Sequence, residues 1–571
     1  MFDAIKKIAE RMTDEDRRLL ALIREPRVVS PAESPAYISL TVMPDGELRC
    51  YGNYPENVRQ ADPGRIPTYL ASADGGLTWK RHLNPAGLKA CVQSPYSNRR
   101  IAYKDWQSLH LYDGREDETA PTVVALPHFL FGKLPLALRQ RKRWLLFGNN
   151  GTGDRNTTSV FRSDDDGETW QESTVPPAPA FTVEPPHAGP RWGNNGIEPT
   201  VTECADGTLL MLLRTSTDYH YLSRSADGGE TWSVPERTPL HSTLTNPEFL
   251  RLHDGRLLLF FCNTRMLPEV NTPDYWPPLT EDELTGYWED VFTNRDVLHA
   301  AISEDDGKTW RGIRELYLNP YRNSADFRTV GGFGGCHDKS CHQVQALELP
   351  QGKVLVHCGQ QEYLEKLIIF DPDWLYDTER REDFQRGLEY VSTHVFVKSI
   401  SGSFRRPYTG HVAWNRTDGA LLVPDPSGDR SEALLLRNTE DEWLYNHRQG
   451  VVWNFPAAQK GEVHIRLMRL GQGVRISLLD HWINPCDPET ERYACFTAVL
   501  GDILPGQVWA DVTVIFDTQS RTATLAVGDE AVSLPMNGEA AYGLNYLHLQ
   551  TAADSGDAQG VLVKGFSESA R

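Results

Sequence analysis

Four times along the chain the same eight-residue phrase returns: SADGGLTW (Ser72 to Trp79), SDDDGETW (Ser163 to Trp170), SADGGETW (Ser225 to Trp232) and SEDDGKTW (Ser303 to Trp310). Their starts lie 91, 62 and 78 residues apart, so one structural unit recurs while the loops between copies vary. Each copy of S-x-D-x-G-x-T-W reads as a hairpin turn. The Asp carboxylate can accept backbone N–H groups across the turn, the Gly can take a positive φ, and the Trp can wedge between neighbouring sheets. β-Rich runs precede the copies, as in PTYLA from Pro67 and VLHAAI from Val297. A second hairpin signal, x-D-G-x-L, recurs as PDGEL (Pro44 to Leu48), ADGTLLMLL (Ala205 to Leu213), HDGRLLLFF (His253 to Phe261) and, degraded, PQGKVLVH (Pro350 to His357). Strand, turn, strand, turn, strand is the grammar of a propeller blade.

After about residue 375 the grammar changes. The segment from Phe370 to Tyr390 is charged, lacks blade signals and reads as a helical or irregular connection. Beyond it, GALLVPDP, EALLLRN, GVVWNFPAA, EVHIRLMRL and GVRISLLDHW are short alternating strands separated by turn residues. They predict a C-terminal β-sandwich of the jelly-roll or lectin-like kind over residues 391–571, and an all-β chain overall.

A length of 571 residues exceeds what one hydrophobic core supports and suits two large domains. The N-terminal 27 residues carry charges throughout and no apolar run, so they read as neither secretory signal nor membrane anchor. They read instead as helical, with Thr13 as a cap and Leu19, Leu20, Leu22 and Ile23 as the apolar face. Nine scattered cysteines do not suggest an oxidised framework, which points to a reducing cytoplasm. A net charge of −20 disfavours a nucleic-acid partner, and nothing suggests a membrane. No P-loop, dinucleotide fingerprint, HExxH or GxSxG occurs, so no cofactor is expected.

The four repeats resemble the Asp-boxes of the sialidase (neuraminidase) superfamily. The resemblance implies a six-bladed β-propeller over residues 28–390. It also implies an arginine triad that pins a sugar carboxylate, a Tyr nucleophile backed by a Glu, and an Asp acid/base, all at the propeller mouth. The segment from Ile197 to Trp232 resembles the superfamily stretch in which a Glu opens one strand and an Arg closes the next, which maps those roles to Glu198 and Arg214. Arg295, eight residues before the Ser303 repeat, takes the place of a second triad arginine, although beside Asp296 it can equally be a solvated pair.

Other positions depart from the pattern. Tyr37 stands where the first triad arginine belongs, and the RIP string at Arg65 leads straight into a repeat. Asp62, with Glu56, is the nearest carboxylate to the acid/base position. Cys341 and His342 replace the fifth-blade tyrosine. His342, with His337 before it in a Gly-rich stretch, can move a proton near neutral pH, or can simply cap a strand. The C-H-x3-C-H spacing of Cys336, His337, Cys341 and His342 matches no standard zinc finger, so no metal is expected. Arg191, Trp192, Asn195, Asn246 and Glu248 are sugar-contact candidates at the predicted mouth.

Together these residues point to an exo-glycoside hydrolase that removes a terminal, acidic sugar from a carbohydrate substrate. A uronate lyase with His342 as base, and a carbohydrate-binding protein without chemistry, are the alternatives.

Overall fold

Each of the four repeats folds into the same hydrogen-bonded turn. In the third copy, Gly229 N–H donates to Ser225 Oγ at 2.9 Å, Thr231 N–H donates to Asp227 Oδ1 at 3.0 Å, and Trp232 Nε1–H donates to Gly229 O at 3.2 Å. The Ser and Asp bonds recur at Ser72 and Asp74, Ser163 and Asp165, and Ser303 and Asp305. Two successive residues take positive φ, Gly228 at 75° and Gly229 at 91° here. Asp166 and Asp306 take the first of these positions in the second and fourth copies, at 61° and 57°. The repeat is thus a hairpin closed by its own Ser and Asp side chains.

The computed structural model describes residues 3–31, 37–52, 68–84, 91–105, 107–113, 120–130, 134–152, 155–179, 195–265, 295–320, 322–323, 341–359, 365–398, 414–417, 419–439, 448–487 and 490–571. Among these, six antiparallel sheets follow one another. The first runs from Tyr37–Val42 to Lys80–Leu83, the second from Cys91–Gln93 to Thr122–Ala125, and the third from Phe129–Leu130 to Gln171–Thr174. The fourth comprises Asn195–Glu203, Leu209–Thr215, Tyr219–Ser225 and Glu236–His241. The fifth comprises Glu248–Arg251, Leu257–Phe261, Val297–Ser303 and Arg311–Leu318. The sixth comprises Gln345–Glu348, Val354–Cys358, Lys366–Phe370 and, as its outermost strand, Arg27–Val28 from the start of the chain.

Each repeat joins the third strand of its sheet to the fourth, and each x-D-G-x-L signal joins the first to the second. Because neighbouring strands alternate in direction, both kinds of turn share one end of the sheets, the rear. The starts of first and third strands and the ends of second strands share the opposite end, the mouth.

The repeat tryptophans lie between sheets, as their sequence pattern predicts. Trp79 packs with Leu40 and Leu70 of the first sheet and Leu355 and Ile369 of the sixth. Trp232 packs between the third and fourth, and Trp310 between the fourth and fifth. The first strands, or their immediate neighbours, from all six sheets line one central channel of about 360 Å³, with Leu40, Val92, Leu136, Val201, Phe249 and Ala346 among its walls.

Helices α1 (Ala4–Arg11) and α2 (Asp14–Ala21) cover the rear, and Ala4 reaches the channel. Thr13 and Asp16 form a reciprocal capping box on α2, in agreement with the cap read from sequence. The apolar face differs from the one expected. Ile8, Met12, Leu20 and Ile23 are buried, whereas Leu19 is 40% and Leu22 is 71% exposed. A Cβ on Gly46, at φ 84°, would lie 2.1 Å from Lys7 O, so α1 sits on a position that only glycine fills. Arg27–Val28 pairs with Lys366–Phe370 and completes the sixth sheet, while Tyr37 opens the innermost strand of the first.

The remainder forms two large antiparallel sheets around one core in which Trp453, Phe455, Ile465, Val514, Leu549 and Phe566 are buried, and a separate strand pair, Val395–Lys398 with Trp414–Thr417. The expected irregular connection contains strand Glu379–Glu382, which pairs with Asp557–Ala570, and just beyond it strand Val391–Ser392 pairs with Gly450–Ala458. The chain therefore enters these sheets at Glu379, ahead of the expected boundary at 391.

Polar bonds and apolar contacts hold the fifth sheet to the second pair of sheets. Glu315 N–H donates to Asn454 Oδ1 at 3.1 Å, Tyr546 Oη donates to Glu315 Oε1 at 2.8 Å, and His299 Nε2 lies 2.5 Å from Tyr546 Oη. Val297, Val452, Leu479 and Trp482 pack beside them. No helix among the described residues is long and apolar enough to cross a membrane.

Candidate functional site

Glu198 lies in a β-bulge. Ile197 pairs with Arg214 and Thr200 with Leu212, so Glu198 and Pro199 together oppose the single residue Leu213. Glu198 takes φ 43°, and the following proline disfavours the ordinary helical alternative. The bulge turns the Glu198 side chain onto the end of the second strand, where Arg214 Nη1 donates to Glu198 Oε2 at 2.5 Å. Arg214 is buried and the Glu198 side chain is 21% exposed. The two residues that sequence spacing paired are therefore in direct contact at the mouth end.

Arg295 and Asp296 precede the third strand of the fifth sheet, at the same end, and both are buried. They are not the solvated pair that stood as the alternative. Asp296 Oδ1 accepts from Asn319 Nδ2 at 3.0 Å, and the Arg295 carbonyl accepts from Cys341 N–H at 2.9 Å.

His342 and Gln343 lead into the first strand of the sixth sheet. His342 is buried, and its carbonyl accepts from Gly359 N–H at 2.8 Å. Gln343, at φ 69°, is bound to Asn246 by Asn246 Nδ2 to Gln343 Oε1 at 3.2 Å, which ties the starts of the fifth and sixth sheets together. Glu248 lines the central channel. Cys341 is buried in an apolar cluster with Cys358, and its thiol donates to Asp296 O at 3.2 Å. Burial pushes both thiols up, away from the thiolate that zinc requires.

The fourth, fifth and sixth sheets are neighbours. Glu198, Arg214, Arg295, Asn246 and His342 therefore all sit at the mouth end of one contiguous arc, opposite the repeat turns. Tyr37 and Asn195 begin first strands at that end too, although their side chains lie outside the described residues. Asp62, Arg191, Trp192 and His337 lie outside the described residues altogether.

The structure adds residues that sequence reasoning missed. Arg265 lies just beyond the second strand of the fifth sheet, at the end of the sheets where Arg214 lies within the second strand of the fourth, and its Nη2 donates to the buried Asp218 at 3.2 Å. Burial opposes the Arg265 charge, but Asp218 and the Tyr219 and Tyr493 phenols outweigh it and raise the pKa. Both arginines follow an x-D-G-x-L turn and an apolar run, but Arg214 stands eight residues after Asp206 and Arg265 eleven after Asp254, so spacing alone did not mark it. Buried Glu365 precedes half-buried Lys366, which opens the third strand of the sixth sheet, and desolvation pulls the Lys366 pKa down. Among the described residues, one group has metal-ligand character: His241, Asp480 and His481.

The BNR repeat-like domain family matches residues 24–363 of the chain. No curated protein matches it in sequence. Among solved structures, Trypanosoma rangeli sialidase bound to the inhibitor DANA is 12% identical over 95% of this chain and 92% of that one, with a TM-score of 0.35. A Dyadobacter fermentans protein of unknown function is 16% identical over 61% and 97%, with a TM-score of 0.39. A sialidase of Streptococcus pneumoniae is 12% identical over 61% and 59%, with a TM-score of 0.31. Likenesses this distant carry no argument about chemistry. The family match spans more than half of the sequence and covers all four repeat turns, so this chain belongs to the BNR repeat-like family, in keeping with the sialidase-superfamily resemblance of those turns.

Proposed function

We propose that this chain is an exo-acting glycoside hydrolase that releases a terminal acidic sugar from a glycan or oligosaccharide. In this reading residues 28–390 act as a six-bladed propeller and the C-terminal sheets as a supporting β-sandwich. The observation that carries it is Glu198. A non-glycine residue at φ 43° costs about 1–2 kcal/mol and persists where the surroundings impose it, which is a mark of functional positions. Here the strained backbone delivers a partly open carboxylate to a buried arginine at the mouth.

Arg214 and Arg295 grip the sugar carboxylate, since a guanidinium offers planar, two-point donors to such a group. Glu198 faces the anomeric carbon. It takes the proton of the attacking water as positive charge builds on the ring, and Asp62, ahead of the first repeat in sequence, protonates the leaving oxygen. Trp192 supplies a stacking face. Tyr37, Arg191, Asn195, Asn246, Glu248 and His337 contact the ring substituents, and His342 backs the site from the sixth sheet.

Fluorogenic glycosides of acidic monosaccharides, followed by mass analysis of the product, test this. A free saturated sugar is expected, and Glu198→Gln should lower kcat by about 10³-fold or more in a chain that stays folded. An unsaturated, ultraviolet-absorbing product would make the chain a lyase. Binding without turnover of any acidic glycoside would make it a sugar-binding protein.

A further inference from the structure

At the seam between the fourth sheet and the C-terminal sheets, three side chains converge that are far apart in sequence. His241 ends the outermost strand of the fourth sheet, and Asp480 and His481 follow strand Val474–Leu479. Asp480 Oδ2 lies 3.1 Å from His241 Nε2, and Asp480 Oδ1 lies 2.7 Å from His481 Nδ1. One donor atom from each residue lies within 4.8 Å of the others, and the two imidazoles face each other at 4.2 Å between centroids.

We propose that His241, Asp480 and His481 bind one divalent transition-metal ion, with water completing its shell, and that this ion clamps the two parts of the chain together. Two imidazoles and a carboxylate are a donor set suited to Zn²⁺ or Co²⁺. Ligand atoms around a tetrahedral ion with bonds of ~2.0–2.2 Å lie about 3.3–3.6 Å apart, so the Asp–His contacts of 3.1 and 2.7 Å need to lengthen by less than about an ångström, and donor atoms as far apart as 4.8 Å need to close by about 1–1.5 Å.

The site is also positioned from behind, as metal sites are. Asn263, in the fifth sheet, donates from Nδ2 to Asp480 O at 2.9 Å and accepts from Trp482 N–H at 2.9 Å, which fixes the backbone on both sides of His481. The Tyr219 ring lies 5.0 Å from His241 and Tyr493 lies 6.5 Å from His481, so aromatic walls hold both rings. Nδ1 of His241 is buried without a hydrogen-bond partner, so the one hydrogen-bonding contact of this ring runs through the Nε2 that faces Asp480. The proposal concerns assembly and does not depend on which sugar, if any, is cleaved.

The full chain, stripped with EDTA, dialysed and confirmed folded by circular dichroism, is titrated with Zn²⁺ and Co²⁺. One ion per chain by elemental analysis, visible Co²⁺ bands and a raised thermal midpoint are expected. His241→Gln and His481→Gln should each weaken Zn²⁺ binding by more than about 100-fold, while His464→Gln, at an exposed side chain of strand Lys460–Arg469, leaves it unchanged. A folded wild-type chain that takes up no ion would overturn the proposal and leave a proton-mediated His–Asp–His contact. Co²⁺ bands that survive His241→Gln unchanged would also overturn it. The wild-type stoichiometry stands by itself if a variant fails to fold.

Discussion

Glu198 holds φ 43° and in that conformation receives Arg214 Nη1 at 2.5 Å. Strain and contact come from the same bulge, so they can be separated by substitution. Glu198→Gly relieves the backbone and removes the carboxylate. It should abolish turnover while shifting the thermal midpoint little, or upward, because the relief of about 1 kcal/mol offsets the lost pair. A large loss of stability in calorimetry would make the pair structural.

Arg214→Lys and Arg295→Lys should act mainly on KM. A lysine keeps the charge but loses the planar two-point grip, and weakening of about 2–4 kcal/mol in kcat/KM suits a buried charged contact. Steady-state kinetics on an acidic glycoside give the split. A fall in kcat at constant KM would place the arginine with the bond-breaking groups.

The repeat turns are reporters of sheet packing. Asp305 accepts from Ser303 Oγ at 2.8 Å, Thr309 N–H at 2.8 Å and Thr309 Oγ at 2.6 Å, just ahead of Trp310 between the fourth and fifth sheets. Asp305→Ala should cost about 1–3 kcal/mol by denaturant unfolding and should red-shift tryptophan emission.

How legible the chain was follows from how local each cause is. The repeat turns were readable because Ser, Asp, Gly and Trp sit within eight residues and satisfy one another. Glu198 and Arg214 were readable because a hairpin returns them to each other. Arg27–Val28 was not, since two residues, one of them charged, have no strand signature until Ile368 and Ile369 lie beside them. Of the expected helix face, Leu20 and Ile23 are buried while Leu19 and Leu22 are exposed, because a cluster of four apolar residues spans more of the helix than its packed side can cover. His241 and Asp480 are separated by 239 residues, and no spacing rule joins them.

Stability should pass through a maximum with pH. Burial lowers the pKa of His299 to about 3 and of His220 and His548 to about 4, so these rings stay neutral when folded and take protons when unfolded. Their contribution is complete above about pH 6.5 and is lost as pH falls towards 4. Burial raises Glu568 to about 8, so the folded chain retains a proton that the unfolded chain releases. Stability therefore falls as pH rises from 4.5 towards 8. Glu568→Gln should flatten only that alkaline limb in denaturant melts across pH.

The seam can be weakened at Tyr546. Its hydroxyl serves both Glu315 and His299, and all three groups are buried. Tyr546→Phe leaves the Glu315 carboxyl without that donor and should cost about 2–4 kcal/mol. Differential scanning calorimetry should then resolve two transitions in place of one, and a single unshifted transition would show that the seam bears little load.

The pairing of Arg27–Val28 with Lys366–Phe370 sets a timetable for synthesis. A ribosome must add about 340 residues after the outermost strand emerges before its partner exists, which at ~5–20 residues per second is roughly 17–70 s. During that time the apolar side chains Ile8, Met12, Leu20 and Ile23, which rest partly on Leu355, Leu367 and Ile369, have no complete surface to cover. Newly made chains should therefore need a chaperone at their leading end, and pausing late in translation should expose that end to proteases long after the intermediate sheets have formed.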